Sequence, residues 1–435
     1  MKILFKNASI LLFDKEKILK GFVIVENSVI TKVVDGNFSE NEKIFDKVID
    51  CENKILMPGF VNAHTHSAMT LFRGIKDDVC LEEWLFDNML PLESNLANGD
   101  VYWGTMLAIA EQVRAGITSM QDMYYGILEI AQAVKKSGFR ANICVGVGSV
   151  QNNNMLEKSF EENEKDFEEL KKLSELIQPT VYSHSIYTQS QSALENAVMF
   201  SAKKKCPISI HLSETLKEVG DCMVANGLTP PQYLESLGFL DRNCTIYHGV
   251  CMDKEDIELL ASYGTNVVSC PSSNLKLGSG IAPLYAVKNA GINIALGTDG
   301  AASNNNLDMF KEMFLAATLQ KAVLNDSRIF EAKEILEMAT KNGAKALNLN
   351  LVGEIKEGYK ADIILVDTNK PHWQPCNNLI SNLVYSAKSS DVCLTMVNGK
   401  ILYEDEKYYI GENLKTIFEN CSKIVARLKK QTNIK

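Results

Sequence analysis

Six histidines occur in the 435 residues of the chain, and five of them fall at or near the ends of short apolar runs. His64 and His66 close GFVNAHTH, His184 lies in TVYSHSIY, His211 in PISIHLSE and His248 in CTIYHGV. The sixth, His372, follows Pro371 and is expected at the surface. Alternate residues of a β-strand project from one face, so His64 and His66 can share one ion. An HxH pair alone is a weak signal, because two exposed turn histidines read the same way. Asp299, in LGTDGAASNN, ends another apolar run. Together His64, His66, His211 and Asp299 offer three imidazoles and one carboxylate. That donor set suits one divalent ion, Zn²⁺ first, with Fe²⁺, Mn²⁺ or Ni²⁺ also compatible, and water completing the shell. Glu214 lies three residues after His211, where it can act as general acid/base toward a substrate ring nitrogen. A surface glutamate is the alternative. His248 is expected to hydrogen-bond the metal-activated water and orient it; the alternative is a packing role.

The elements that must position these groups are legible in the texture of the chain. Residues 1–55 read as short β-branched runs separated by turns. From Pro58-Gly59 to about residue 350, eight apolar strands alternate with longer amphipathic helices: GFVNAHTH, GITSMQDM, ANICVGV, TVYSHSIY, PISIHLSE, CTIYHGV, NVVSCP and INIALGTD. Strands apolar throughout are covered on both faces. Eight β-then-helix units predict an α/β fold, a (β/α)₈ TIM-type barrel, whose sites lie at the C-terminal ends of the strands. An open doubly wound sheet would want a glycine-rich phosphate loop where this chain has HTH. After residue 350, GEIKEGYKADIILVD and CLTMVNGKILYEDE read as strands, the second with an Asn398-Gly399 hairpin turn. Neither chain end has enough strands to stand alone. Residues 1–56 and 351–435 are therefore expected to join in a small β-sandwich domain beside a 57–350 barrel, with LKTIFENCSKIVARLKK as a terminal helix.

Composition excludes several classes of function. Apolar residues make up 46% and charged residues 23%, a globular balance. Forty-five basic against 54 acidic residues give a net charge of −9, with no electrostatic footprint for nucleic acid or anionic lipid. The eleven cysteines are scattered and form no CxxC pair, which favours reduced thiols and a cytoplasmic protein. The first residues read as a strand and not a signal peptide. No apolar run reaches the length of about 18 residues that a membrane span needs. The sequence leaves open whether the chain forms a homo-oligomer.

With these residues in hand, the chain resembles the amidohydrolase superfamily, through PGFVNAHTH, HLSE, YHGV, LGTDGAASNN and GEIKEGYKADIILVD. Within it, the segment LFRGIKDDVCLEEWLFDNMLPLE (residues 71–93) is similar to that of the methylthioadenosine/S-adenosylhomocysteine deaminases. The resemblance spans essentially the whole chain. It implies hydrolytic deamination at C6 of the adenine ring of a 5′-substituted adenosine, by metal-activated water. Glu214 would protonate N1, and Asp299 would carry a proton from the water to the leaving amine. Glu93 would accept hydrogen bonds from the ribose hydroxyls, and His184 would contact the nucleoside. Trp84 and the Leu85-Phe86 pair would wall the 5′ substituent, or simply pack the loop. Two-metal relatives bridge their ions with a strand-four lysine. Here His184 stands in that strand with no lysine, so one metal is expected. Relatives that take S-adenosylhomocysteine can hold its carboxylate with arginines at and after the end of strand three. Here the strand position is Val145, and the loop QNNNMLEKSF offers only Lys158. The expectation is a preference for smaller 5′ groups, such as methylthioadenosine or 5′-deoxyadenosine. Two rival readings stand beside this one. A deaminase or chlorohydrolase acting on guanine, a pterin or a triazine would keep the metal set without needing Glu93. A non-catalytic scaffold barrel would typically have lost ligands that this chain retains.

Overall fold

The computed structural model describes residues 1–14, 18–147, 159–240 and 243–432. Its central element is an eight-stranded parallel sheet in sequential order. The barrel strands, one to eight, are Phe60–Thr65, Ile117–Asp122, Arg140–Gly146, Ile177–Ser185, Ile208–Leu212, Cys244–His248, Asn266–Ser269 and Asn293–Leu296. Nearly every strand residue is buried, as covered faces require. Each expected strand is present, and the connections carry helices.

Several of those helices start where side chains satisfy their first amides. Ser159 and Glu162 form a reciprocal capping box before Phe160–Leu173, and Asp253 and Asp256 do the same before Lys254–Ser262. The helix Asp100–Arg114 ends just before Gly116, whose φ of 82° suits the left-handed turn into strand two.

Strands eight and one close the circuit by individual hydrogen bonds. The Asp299 amide donates to the His64 carbonyl at 3.0 Å. Asn62 accepts from the Thr298 amide at 2.9 Å and donates to the Thr298 hydroxyl at 2.8 Å. Gly297 permits this approach, because a Cβ there would lie 2.8 Å from the His64 backbone nitrogen. Closure therefore places His64 and Asp299 side by side.

The two chain ends build the second sheet expected of them. Lys54–Pro58 pairs antiparallel with Ile363–Asp367, joining the N-terminal strands to the C-terminal ones. Ile3, Phe5, Val23, Val25, Ile363, Leu365, Leu394 and Met396 share one buried cluster inside it. The hairpin of Val392–Val397 and Lys400–Glu404 turns at Asn398 and Gly399, with φ of 49° and 78°. The terminal helix, Leu414–Thr432, buries Ile417, Cys421, Ile424 and Leu428, a single stripe at helical spacing. Arg427 on that helix pairs with Asp100 and donates to the Asn95 carbonyl at 3.0 Å. His372 is not a free surface residue: it is half-buried, with Nε2 2.8 Å from Asp391. No helix among the described residues is long and apolar enough to cross a membrane.

Candidate active site

At the C-terminal rim of the barrel, His64, His66, His211, His248 and Asp299 converge. Donor atoms of His64, His66 and Asp299 lie within 4.8 Å of one another, as do those of His64, His211 and His248. His64 thus belongs to both groups. Asp299 Oδ1 is 3.3 Å from His64 Nε2 and 3.1 Å from His66 Nε2.

The ring environments test whether a metal fits. His64 is fully buried; its Nδ1 has no hydrogen-bond partner, and its Nε2 meets only the Asp299 carboxylate, 3.3 Å away. A buried imidazole without a partner is costly unless something else occupies its lone pair. His66 Nδ1 faces the Met123 carbonyl at 2.5 Å, and His211 Nδ1 faces the His184 carbonyl at 2.7 Å. A carbonyl can only accept, so both rings carry their proton on Nδ1 and present Nε2 as a lone pair. Burial pushes the pKa of His64 down to about 3 and that of His211 well below the usual range, which keeps both neutral. His66 is the exception. Burial opposes its charge, but Asp299 draws its pKa up, so a cation there competes with a proton. Burial also opposes ionisation of Asp299, yet its contacts with His64 and His66 hold it well below the carboxylate range. One carboxylate and three imidazoles with two carbonyl-fixed rings fit a divalent ion.

Glu214 and His248 stand beside this cluster. Glu214 Oε2 is 3.9 Å from His248 Nε2, and both side chains are buried. Burial raises the Glu214 pKa. The backbone that delivers these groups is unusual: Ser213, His248 and Asp299 have φ of 51°, 70° and 58°. Left-handed backbone at a residue other than glycine costs about 1–3 kcal/mol and persists only when neighbours over-determine it. Here Glu218, fully buried, accepts from the Ser213 and Glu214 amides at 3.1 and 2.8 Å. The Cys251 amide donates to the Ser213 carbonyl at 2.7 Å.

A cavity opens above the cluster. It brings together His66, His211, Asp299, Glu214 and His248 with Glu93, His184 and Trp84. Glu93 is buried, and burial pushes its pKa up to about 7, with Tyr124 beside it drawing it back. His184 Nδ1 faces the Thr188 hydroxyl at 2.9 Å. Trp84 has a buried indole N–H without a protein partner. Two expected neighbours are not in the wall. Phe86 lines an adjoining cavity with Lys217 and Asp221, while Leu85 lines both. Val145 packs in the barrel core at 0% exposure. Residues 151–158 of the loop expected to lack a carboxylate clamp, Lys158 included, lie outside the described residues.

Sequence reasoning passed over Ser273, Asn274, Ser303 and Glu218. Ser273 and Ser303 both donate to Asp299 Oδ2, at 2.6 and 2.8 Å, and Asn274 Oδ1 meets His248 Nδ1 at 2.7 Å. The available signal was polar residues, CPSSN, directly after an apolar strand.

A buried histidine–carboxylate cluster at the rim of a closed parallel barrel defines a metal-dependent barrel hydrolase. Residues 55–402 match the model of the amidohydrolase family, and the chain belongs to that family. It is 42% identical to a 5-methylthioadenosine/S-adenosylhomocysteine deaminase of Dictyoglomus turgidum, covering 99% of this chain and 100% of the relative. It is 41% identical to the protein of that name from Pyrococcus furiosus, covering 97% and 99%. A solved structure of an adenosine deaminase from Xanthomonas campestris with bound zinc matches with a TM-score of 0.92 and 32% identity, covering 98% of both chains.

Proposed function

We propose that the chain is an aminohydrolase that deaminates C6 of 5′-substituted adenosines, 5′-methylthioadenosine among them, to the inosine analogue and ammonia. The observation that carries this reading is one cavity lined by His66, His211, Asp299 and Glu214, with His64 buried beside them and the buried carboxylate of Glu93 in the same wall. His64, His66, His211 and Asp299 would hold a single Zn²⁺, which when bound lowers the pKa of water and supplies the nucleophile at neutral pH. Asp299 takes the proton from the attacking water and delivers it to the departing amine. Glu214, whose pKa burial raises, transfers a proton to N1, so that C6 becomes electrophilic. His248 orients the attacking water. Glu93 accepts from the ribose hydroxyls, His184 contacts the nucleoside and Trp84 forms part of the wall. The preference for small 5′ groups over the homocysteine conjugate rests on the sequence, with Val145 at the end of strand three and QNNNMLEKSF after it. The scattered thiols, all unpaired, suit a cytoplasmic enzyme.

The test is a parallel ultraviolet assay of adenosine, 5′-deoxyadenosine, methylthioadenosine and S-adenosylhomocysteine, with guanine as the base control. The reading expects loss of the adenine chromophore with the small 5′ groups and no change in the guanine spectrum. No turnover of the four nucleosides overturns the substrate assignment. Equal kcat/KM for methylthioadenosine and S-adenosylhomocysteine overturns the preference.

A further inference from the structure

The segment after barrel strand seven, residues 270–279, carries no histidine and no carboxylate, yet it touches three proton-handling groups. Ser273 donates to Asp299 Oδ2 at 2.6 Å, Asn274 Oδ1 meets His248 Nδ1 at 2.7 Å, and Ser279 donates to Glu214 Oε1 at 3.4 Å. Those three partners come from strands eight, six and five. The segment is itself held at both ends. The Ser272 amide donates to the buried Glu312 carboxylate at 2.9 Å. The Asn274 carbonyl accepts from the Ser279 and Gly280 amides at 2.9 and 3.3 Å, tying the loop into a knot around Asn274. Lys276 reaches out to Asp77, in the segment before Glu93, and to Asn305 after strand eight.

We propose that Asn274 and Ser273 are positioning residues for the deamination. An amide oxygen can only accept, so Asn274 fixes the His248 proton on Nδ1. Nε2 then faces Glu214 as a lone pair, 3.9 Å from its carboxylate, and can accept a hydrogen bond from the attacking water. Ser273 and Ser303 together saturate Asp299 Oδ2, so only Oδ1 is left for the side where His64 and His66 lie. Both positioning residues are buried, Ser273 at 0% and Asn274 at 2% exposure, so neither serves solvation. The kinetic part of this inference rests on the deaminase reading; the ring geometry does not.

The experiment uses the zinc-loaded enzyme with ¹⁵N-labelled histidine, the His248 signals being identified by their loss in His248→Gln. Wild type should show His248 protonated at Nδ1. Asn274→Leu should shift that pattern and lower kcat by about 10–100-fold, with KM and bound zinc within twofold of wild type. Asn274→Asp, which keeps an acceptor oxygen, should restore the Nδ1–H signature. Ser273→Ala should lower kcat and weaken zinc in chelator competition, and Ser273→Thr should recover both. A His248 proton on Nε2 in wild type overturns the proposal, as does an Asn274→Leu enzyme with unchanged kcat. Loss of zinc and fold in Asn274→Leu, with Asn274→Asp equally impaired, also overturns it, since that marks a packing role. If wild type deaminates no nucleoside, the deaminase reading fails and the ¹⁵N signature alone decides the geometry.

Discussion

Among the described residues, no lysine or arginine lines the cavity beside Glu93, and burial pushes its pKa up to about 7. Two ribose hydroxyls donating to it would favour the carboxylate over the acid. Nucleoside binding at pH 7 should therefore release up to about half a proton, read by calorimetry in buffers of different ionisation enthalpy. Glu93→Gln should abolish that release, and Glu93→Ala should lower kcat/KM for nucleosides at least about tenfold. Glu214→Gln should lower kcat by about 10²–10⁴ while elemental analysis still finds one metal per chain. The candidate ligands and Glu214 were legible because their chemistry is rare and their spacing fits a strand end. Ser273 and Asn274 were not, because serine and asparagine follow many strands. Their meaning lies in Asp299 and His248, each 26 residues away.

Elements decide whether those side chains meet. Gly297 lets strand eight approach strand one, and Gly297→Ala would drive a Cβ against His64. The expected cost is about 1–3 kcal/mol, together with weaker metal binding, measured by urea unfolding and chelator competition. Glu312 offers a pH test of the segment after strand seven. Burial raises its pKa from 4.5 to about 7, ahead of the opposing pull of Ser272. A carboxyl that binds its proton more tightly when folded stabilises the fold below pH 4.5, and that stability drains away between 4.5 and 7. Glu312→Gln should flatten this slope, so the variant should exceed wild type at pH 8 by an amount on the order of 1–3 kcal/mol in urea unfolding. Strand count and order were readable from the apolar runs, since a covered strand announces itself. The closure contacts were not, because Asn62, Gly297 and Thr298 acquire their roles only when the first and last strands become neighbours.

At the scale of the whole molecule, the terminal helix is more than a tail. Arg427 clasps Asp100 and the Asn95 carbonyl, next to the short helix Leu90–Glu93 that ends in the ribose-binding candidate. Removing residues 414–435 would uncover the faces packed by Ile417, Ile424 and Leu428, at a cost of about 3 kcal/mol or more. The truncated enzyme should keep its metal but show a raised KM for nucleosides, measured beside its thermal midpoint. The amphipathic stripe made the helix legible; its docking site was not, because an apolar stripe says how much must be covered and not by what.

The pairing of Lys54–Pro58 with Ile363–Asp367 also sets a timetable. The first strands leave the ribosome about 300 residues before their partner exists, an interval of tens of seconds at roughly 5–20 residues per second. Throughout that time Lys54–Pro58 presents an unpaired edge, the kind of edge that templates aggregation. The barrel can begin to assemble while this strand waits. Its completion and that of the second sheet are therefore separate events in synthesis, and a nascent chain halted before residue 363 should be captured by chaperones through its N-terminal strands and not through its metal-binding rim.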